Sequence, residues 1–248
     1  MNRNRRGWAV GVGLVVVTTV VGGPAEAGPK KPGPSTTTTV AGGTVRNVPT
    51  SIAADCSKPV DVTLNSFLAG VPNGATVQFG INACYGLDLS LLLNDRSNLV
   101  LDGRGSTFKA LTQREDDPCR ANWRVQAGSN ITLKNMTVRG ANNTGFDGPR
   151  PDFRGQCQHG YSFDSTQGAK LLNSKAYDTW GDPISIGPDR RKAGDYCAVP
   201  PARNVLVDNF HGMNSGRTVG ISHADGVTIQ NSYFGDLYDS AIDLETDV

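Results

Sequence analysis

Residues 227–234 read VTIQNSYF, and three earlier stretches superpose on them: ITLKNMTV (131–138), KLLNSKAY (170–177) and VLVDNFHG (205–212). Each carries an apolar alternation into an Asn, at Asn135, Asn173, Asn209 and Asn231, with spacings of 38, 36 and 22 residues. LVLDGRG (99–105) has the same form with Gly103 in the Asn place. Period-two alternation specifies strand, and a recurring landmark specifies a repeat architecture.

A second register follows. HGYSFDS (159–165), DPISIGP (182–188), VGISHAD (219–225) and SAIDLET (240–246) align on a small residue or Pro: Gly160, Pro183, Gly220 and Ala241. An apolar position comes next (Tyr161, Ile184, Ile221, Ile242), then a polar one (Ser162, Ser185, Ser222, Asp243). Two short strands per repeat, a smallest unit of 22 residues and extra length inserted at one place describe a parallel β-helix with loops growing from one edge. Its coils stack at about 4.8 Å, so equivalent residues fall into columns. The four Asn then form an amide ladder, and deleting a buried rung is expected to cost about 1–3 kcal/mol.

The composition agrees: 30 Gly and 14 Pro among 248 residues, with 7% aromatic, call for many turns and few helices. The chain opens on Arg3, Arg5 and Arg6, an apolar run from Trp8 to Val21 and an Ala-Glu-Ala at 25–27, the pattern of a signal peptide over 1–27. Residues 28–50, with GPKKPGPSTTTT, read as a disordered linker, and 51–248 as the β-helix domain, incomplete at its C-terminus because the chain finishes inside a strand. Within it, Thr63 to Ala69 reads as a short helix capping the exposed end of the first coil, and ATVQFG (75–80) as the start of the strands. Cleavage after Ala27 would leave 21 basic and 22 acidic residues, no basic stripe for nucleic acid and no second apolar run for a membrane; a monomer is expected. Export makes disulfides the expectation for the five cysteines, with Cys56 and Cys84 the best pair and Cys119, Cys157 and Cys197 unassigned.

FLAGVPNGATVQFG, CYGLD, LVLDGRGSTF, ITLKNMTVRGAN, QHGYSFDST, YDTWGDPISIG, SGRTVGIS and SAIDLETD, in that order, resemble secreted actinobacterial right-handed parallel β-helix proteins of the pectate-lyase-like superfamily. The resemblance spans about residues 55–248. It implies work on extracellular polysaccharides, by lyases acting on uronates, by hydrolases or by epimerases.

The residues offer two chemistries. Glycoside hydrolysis uses two carboxyls, and Asp243 and Glu245, two apart on one strand, face the same way with Cα atoms roughly 6.5–7 Å apart. The same pair suits calcium, the one cofactor expected. Elimination needs a cation against the uronate carboxylate and a base, and Asp182, Arg217 and Asp239 are expected to meet in adjacent coils. His159 is a candidate acid or base at a coil edge, with Asp164 facing outward beside it as a substrate contact. Asp178 and Trp180 in YDTWGD offer a carboxylate and an aromatic platform for a sugar. His223 falls in an inward column or at a strand end and is no catalyst. The expectation is a secreted protein acting on an acidic polysaccharide by lyase or hydrolase chemistry, the alternative a non-catalytic glycan-binding or adhesion β-helix.

Overall fold

The computed structural model describes residues 43–113, 119–142, 157–189, 191, 199–216, 219–237 and 240–245. Every strand pair is parallel, and the chain winds as a right-handed parallel β-helix behind one helix, as the repeat requires. Each full coil visits a twelve-stranded sheet twice and a six-stranded sheet once. The twelve-stranded sheet is bent at the Asn turns. One half stacks Thr76–Gln78, Val100–Asp102, Thr132–Lys134 and the first part of Lys170–Tyr177; the other stacks Cys84–Leu87, Thr107–Ala110, Thr137–Arg139 and that strand's second part. Leu206–Ser215 continues both halves.

The six-stranded sheet comprises Leu91–Asn94, Trp123–Gln126, Tyr161–Asp164, Ile184–Gly187, Val219–Ser222 and Ile242–Glu245. Alternation along each strand sends one set of side chains inward. Trp123, Tyr161, Ile184 and Val219 stack in one inward column, Val125, Phe163 and Ile186 in the next, all fully buried. They face Leu101, Leu133, Leu171 and Val207 from the other sheet, so each coil buries its own layer of the core.

The helix spans Asp61–Ala69 and buries Leu64 and Leu68 on the first coil. The Asp61 carboxylate accepts the backbone N–H groups of Asp88 and Leu89, and Asn65 bonds Ser90 and Leu92, which lock the cap to the coil beneath. Strands begin before residue 75, however. Val45–Asn47 pairs with Thr76–Gln78, inside the stretch expected to be linker, and Asp55–Pro59 pairs with Cys84–Leu87. The Cys56–Cys84 disulfide joins that last pair, while Cys197 lies outside the described residues.

Asn135, Asn173, Asn209 and Asn231 all have left-handed backbones, φ 48° to 55°. Asn209 donates to Asn173 (2.9 Å), Asn173 to Asn135 (3.4 Å) and Asn135 to Asp102 (2.9 Å). Two details depart from the expectation. Asn231 donates to Asp208 and not to Asn209, and the amides of Asn173 and Asn209 are exposed. A second column escaped the sequence reading: Asn98, Asn130, Gly168, Asn204 and Gly226, all with positive φ, stand two residues before the strands of the first half. Asn130 donates to Asn98 at 3.0 Å.

Insertions enter at two corners, not one. Residues 111–122 and 140–160 lead into the six-stranded sheet, and 188–201 lead out of it.

Candidate functional site

The outward columns of the six-stranded sheet place most of the expected residues. One runs Leu92, Arg124, Ser162, Ser185, Gly220, Asp243; its neighbour runs Asn94, Gln126, Asp164, Gly187, Ser222, Glu245. The third repeat sits two residues from the expected alignment, because Ile184 pairs with Val219 and not with Ile221. A two-residue slip keeps every side chain on its face, so alternation could not detect it. Its consequence is chemical: a glycine lies between Ser185 and Asp243.

That glycine makes room for Asp182. A Cβ on Gly220 would stand 2.6 Å from Asp182 Oδ2, so the carboxylate occupies the space a side chain would fill. Asp243 follows Gly220 in the same column, one strand spacing of about 4.8 Å away. Asp182 thus stands over Gly220 with Asp243 on the neighbouring strand of the same face. Asp182 is buried, and Asp243 is half-buried.

His159 supports this arrangement from beneath. Only 4% exposed, it accepts the Asp182 backbone N–H on Nδ1 at 3.1 Å, with Asp182 Oδ2 3.4 Å from the same nitrogen. Nδ1 cannot both accept that N–H and donate to the carboxylate. The shorter contact assigns it as acceptor and leaves the neutral ring's proton on Nε2. His159, expected as an acid or base at a coil edge, is thus buried against the Asp182 turn and holds its backbone.

Asp164 leaves its strand outward as expected but is 1% exposed. It accepts from Ser162 Oγ at 2.6 Å and from Gln126 Nε2 at 3.4 Å, with Arg124 Nε at 3.9 Å. A carboxylate so enclosed ties its strand to the neighbouring one. Asp178 stands at a turn. Its backbone is left-handed (φ 59°), and its carboxylate is held by Asn214 at 2.7 Å and Arg139 at 3.2 Å. With Asn214 and Asp236, both at positive φ, it forms a turn column, the sort of signal that a search for Asx residues at strand ends would find.

Trp180 is half-buried in the same connection, where its carbonyl oxygen would lie 2.5 Å from a Cβ on Gly216. Glu245 is exposed, in the column beside Asp243. Arg217 and Asp239 lie outside the described residues. His223 stands at a strand end with φ 43°, its Nε2 2.8 Å from the Val199 carbonyl oxygen. Among the described residues no three His, Cys, Asp or Glu side chains gather as a metal-holding group. Asp243 and Glu245 supply two carboxylates toward the six to eight oxygens that calcium takes. Among the described residues, too, no helix is long and apolar enough to cross a membrane.

No family model matches the chain, and no curated protein does. Solved structures do resemble it in shape. An alginate lyase from Paenibacillus sp. str. FPU-7 is 13% identical with a TM-score of 0.49, the match covering 75% of this chain and 71% of that one. The Dettilon tailspike protein (gp208) is 12% identical with a TM-score of 0.41, covering 80% of this chain and 38% of that one. A rhamnogalacturonan lyase is 11% identical with a TM-score of 0.41, covering 77% and 56%. At these identities and scores the likeness carries no information about chemistry.

Proposed function

We propose that this is a secreted, carbohydrate-active β-helix protein that cleaves an extracellular polysaccharide on the outer face of the six-stranded sheet. The observation that carries the reading is the Asp182 carboxylate seated over Gly220, one strand from Asp243. Neighbouring strands stand about 4.8 Å apart, a spacing that suits two carboxyls acting on one glycosidic bond. Asp182, fixed by its turn, protonates the leaving oxygen. Asp243, the more accessible, activates water or attacks the anomeric carbon. Secretion is supported by the Cys56–Cys84 disulfide, a bond that persists in oxidising surroundings.

The test is a panel of polygalacturonate, alginate, glucuronan and neutral glycans, with and without calcium, followed for new reducing ends and for ultraviolet absorbance of a new C=C bond. Reducing ends without absorbance are expected, from a uronate-bearing chain. Asp182→Asn and Asp243→Asn should each lower the rate by on the order of a hundredfold or more. Absorbance that depends on calcium would replace hydrolysis with elimination and return Asp243 and Glu245 to the role of metal ligands. No cleavage of any glycan would overturn the enzyme reading in favour of glycan binding.

A further inference from the structure

We propose that the outer face of the second half of the twelve-stranded sheet is a separate binding surface for a polyanionic polysaccharide, distinct from the cleavage face. Two outward columns cross five adjacent strands there. One runs Lys109, Arg139, Tyr177, Met213, Gly235, and the other Thr107, Thr137, Lys175, His211, Tyr233. Lys109, Arg139, Lys175 and His211 are exposed, and neither column contains an acid.

Among the described residues the charge on this strip is neutralised only at Arg139. Among the described residues Lys109 and Lys175 have no ion pair, and Arg139 reaches only Asp178, beyond the strand end. Lys109 and Arg139 are direct register partners on neighbouring strands. Like charges placed so repel and weaken a sheet, a cost that a bound anion removes. The first half of the same sheet is built otherwise: its outward Lys134 is paired with Asp102 at 3.2 Å, and Asp208 stands in the same column.

Aromatic rings lie among the cations. The Arg139 guanidinium sits 5.7 Å from the centre of the Tyr177 ring. Tyr233 leans over Gly235, with Cε1 and Cζ 3.0 Å from where a Cβ would be, so its ring lies along the sheet instead of standing off it. His211 is 6.1 Å from that ring. Ring faces stack sugars, cations bind their carboxylates, and strands spaced at about 4.8 Å repeat both at the scale of a sugar residue. An extended uronate-bearing chain matches this surface in charge and in flatness. Binding here is independent of cleavage on the other face.

Affinity electrophoresis through gels containing polygalacturonate or alginate tests it, with dissociation constants measured across a salt series. Wild type should be retarded, less so as salt rises. K109Q/R139Q/K175Q should bind at least tenfold more weakly with a flatter salt dependence, while its melting temperature falls by a few degrees at most for the lost Arg139–Asp178 pair and its cleavage of short oligosaccharides is unchanged. Y233A should weaken binding severalfold and keep the salt slope. D182N should bind like wild type, which separates this surface from the catalytic reading. Undiminished retardation of the triple variant, absence of retardation in wild type, or equal binding to duplex DNA or neutral glycans would each overturn the proposal.

Discussion

Asn173→Ala and Asn173→Gly separate two explanations of the ladder. Asn173 has φ 48°, donates to Asn135 at a long 3.4 Å and accepts from Asn209 at 2.9 Å, all in an exposed position. Water replaces either amide contact once the side chain is gone, so each contributes about 0.5 kcal/mol, the low end for a hydrogen bond. The backbone conformation matters more. A Cβ without a local hydrogen bond in the left-handed region costs about 1–2 kcal/mol, which Gly avoids while giving back roughly 0.5–1 kcal/mol in unfolded-state entropy. Asn173→Ala should therefore destabilise by about 2–3 kcal/mol and Asn173→Gly by about 1.5–2 kcal/mol, a gap approaching 1 kcal/mol, once lost amide contacts, backbone strain and chain entropy are combined. For a chain of this size that gap is roughly 2–4 °C in Tm. The parallel column supports the order, since Gly168 and Gly226 do there what Asn98, Asn130 and Asn204 do in other coils. The assay is urea and thermal unfolding of both variants beside wild type. If Gly proves as damaging as Ala, the amide chain and not the turn backbone holds the column, and the reasoning fails.

Gly220→Ala should displace the Asp182 carboxylate, because the new methyl would stand 2.6 Å from Oδ2. Cleavage should fall on the order of a hundredfold for a shift of about 1 Å, with Tm changed by a few degrees at most; undiminished turnover would remove Asp182 from the reaction. Asp102 heads the ladder: burial works to raise its carboxyl, but hydrogen bonds from Asn135, the Arg104 N–H and Lys134 outweigh it and hold it below its ordinary value. A depressed folded value contributes stability that is complete above the unfolded pKa of about 4 and is lost as pH falls through the folded one. Asp102→Asn should thus flatten the fall of Tm with pH below about pH 4, and superimposable curves would show that this carboxylate contributes nothing.

The fold was legible because a solenoid repeats its instructions. Four Asn turns and four downstream strands announce the same coil, and the spacings of 38, 36 and 22 residues reappear as register partners Thr132, Lys170, Leu206 and Thr228. Less was visible where the instruction is given once or is shared between residue types. Val45–Asn47 reads as linker because three residues cannot show a period. The second turn column alternates Asn with Gly, two residues that reach the left-handed region for different reasons, and a search for Asn alone breaks at Gly168.

The site was legible by face and not by depth. Alternation sends Asp164, Asp243 and Glu245 outward, and outward they go; whether an outward carboxylate meets solvent depends on what crosses over it, which no local pattern encodes. Asp164 is enclosed by Ser162, Gln126 and Arg124 from its own and the neighbouring strand, whereas Asp243 stands beside a glycine. That glycine lets a carboxylate from a preceding turn, Asp182, settle on the sheet beside it, so the pair depends on a missing side chain as much as on the acids. Spacing along one strand couples Asp243 to Glu245; the register gives it a partner across strands instead. A strand fixes neighbours along itself at roughly 6.5–7 Å, while stacking sets them at about 4.8 Å, and in a solenoid the second spacing is the one that brings residues far apart in sequence side by side.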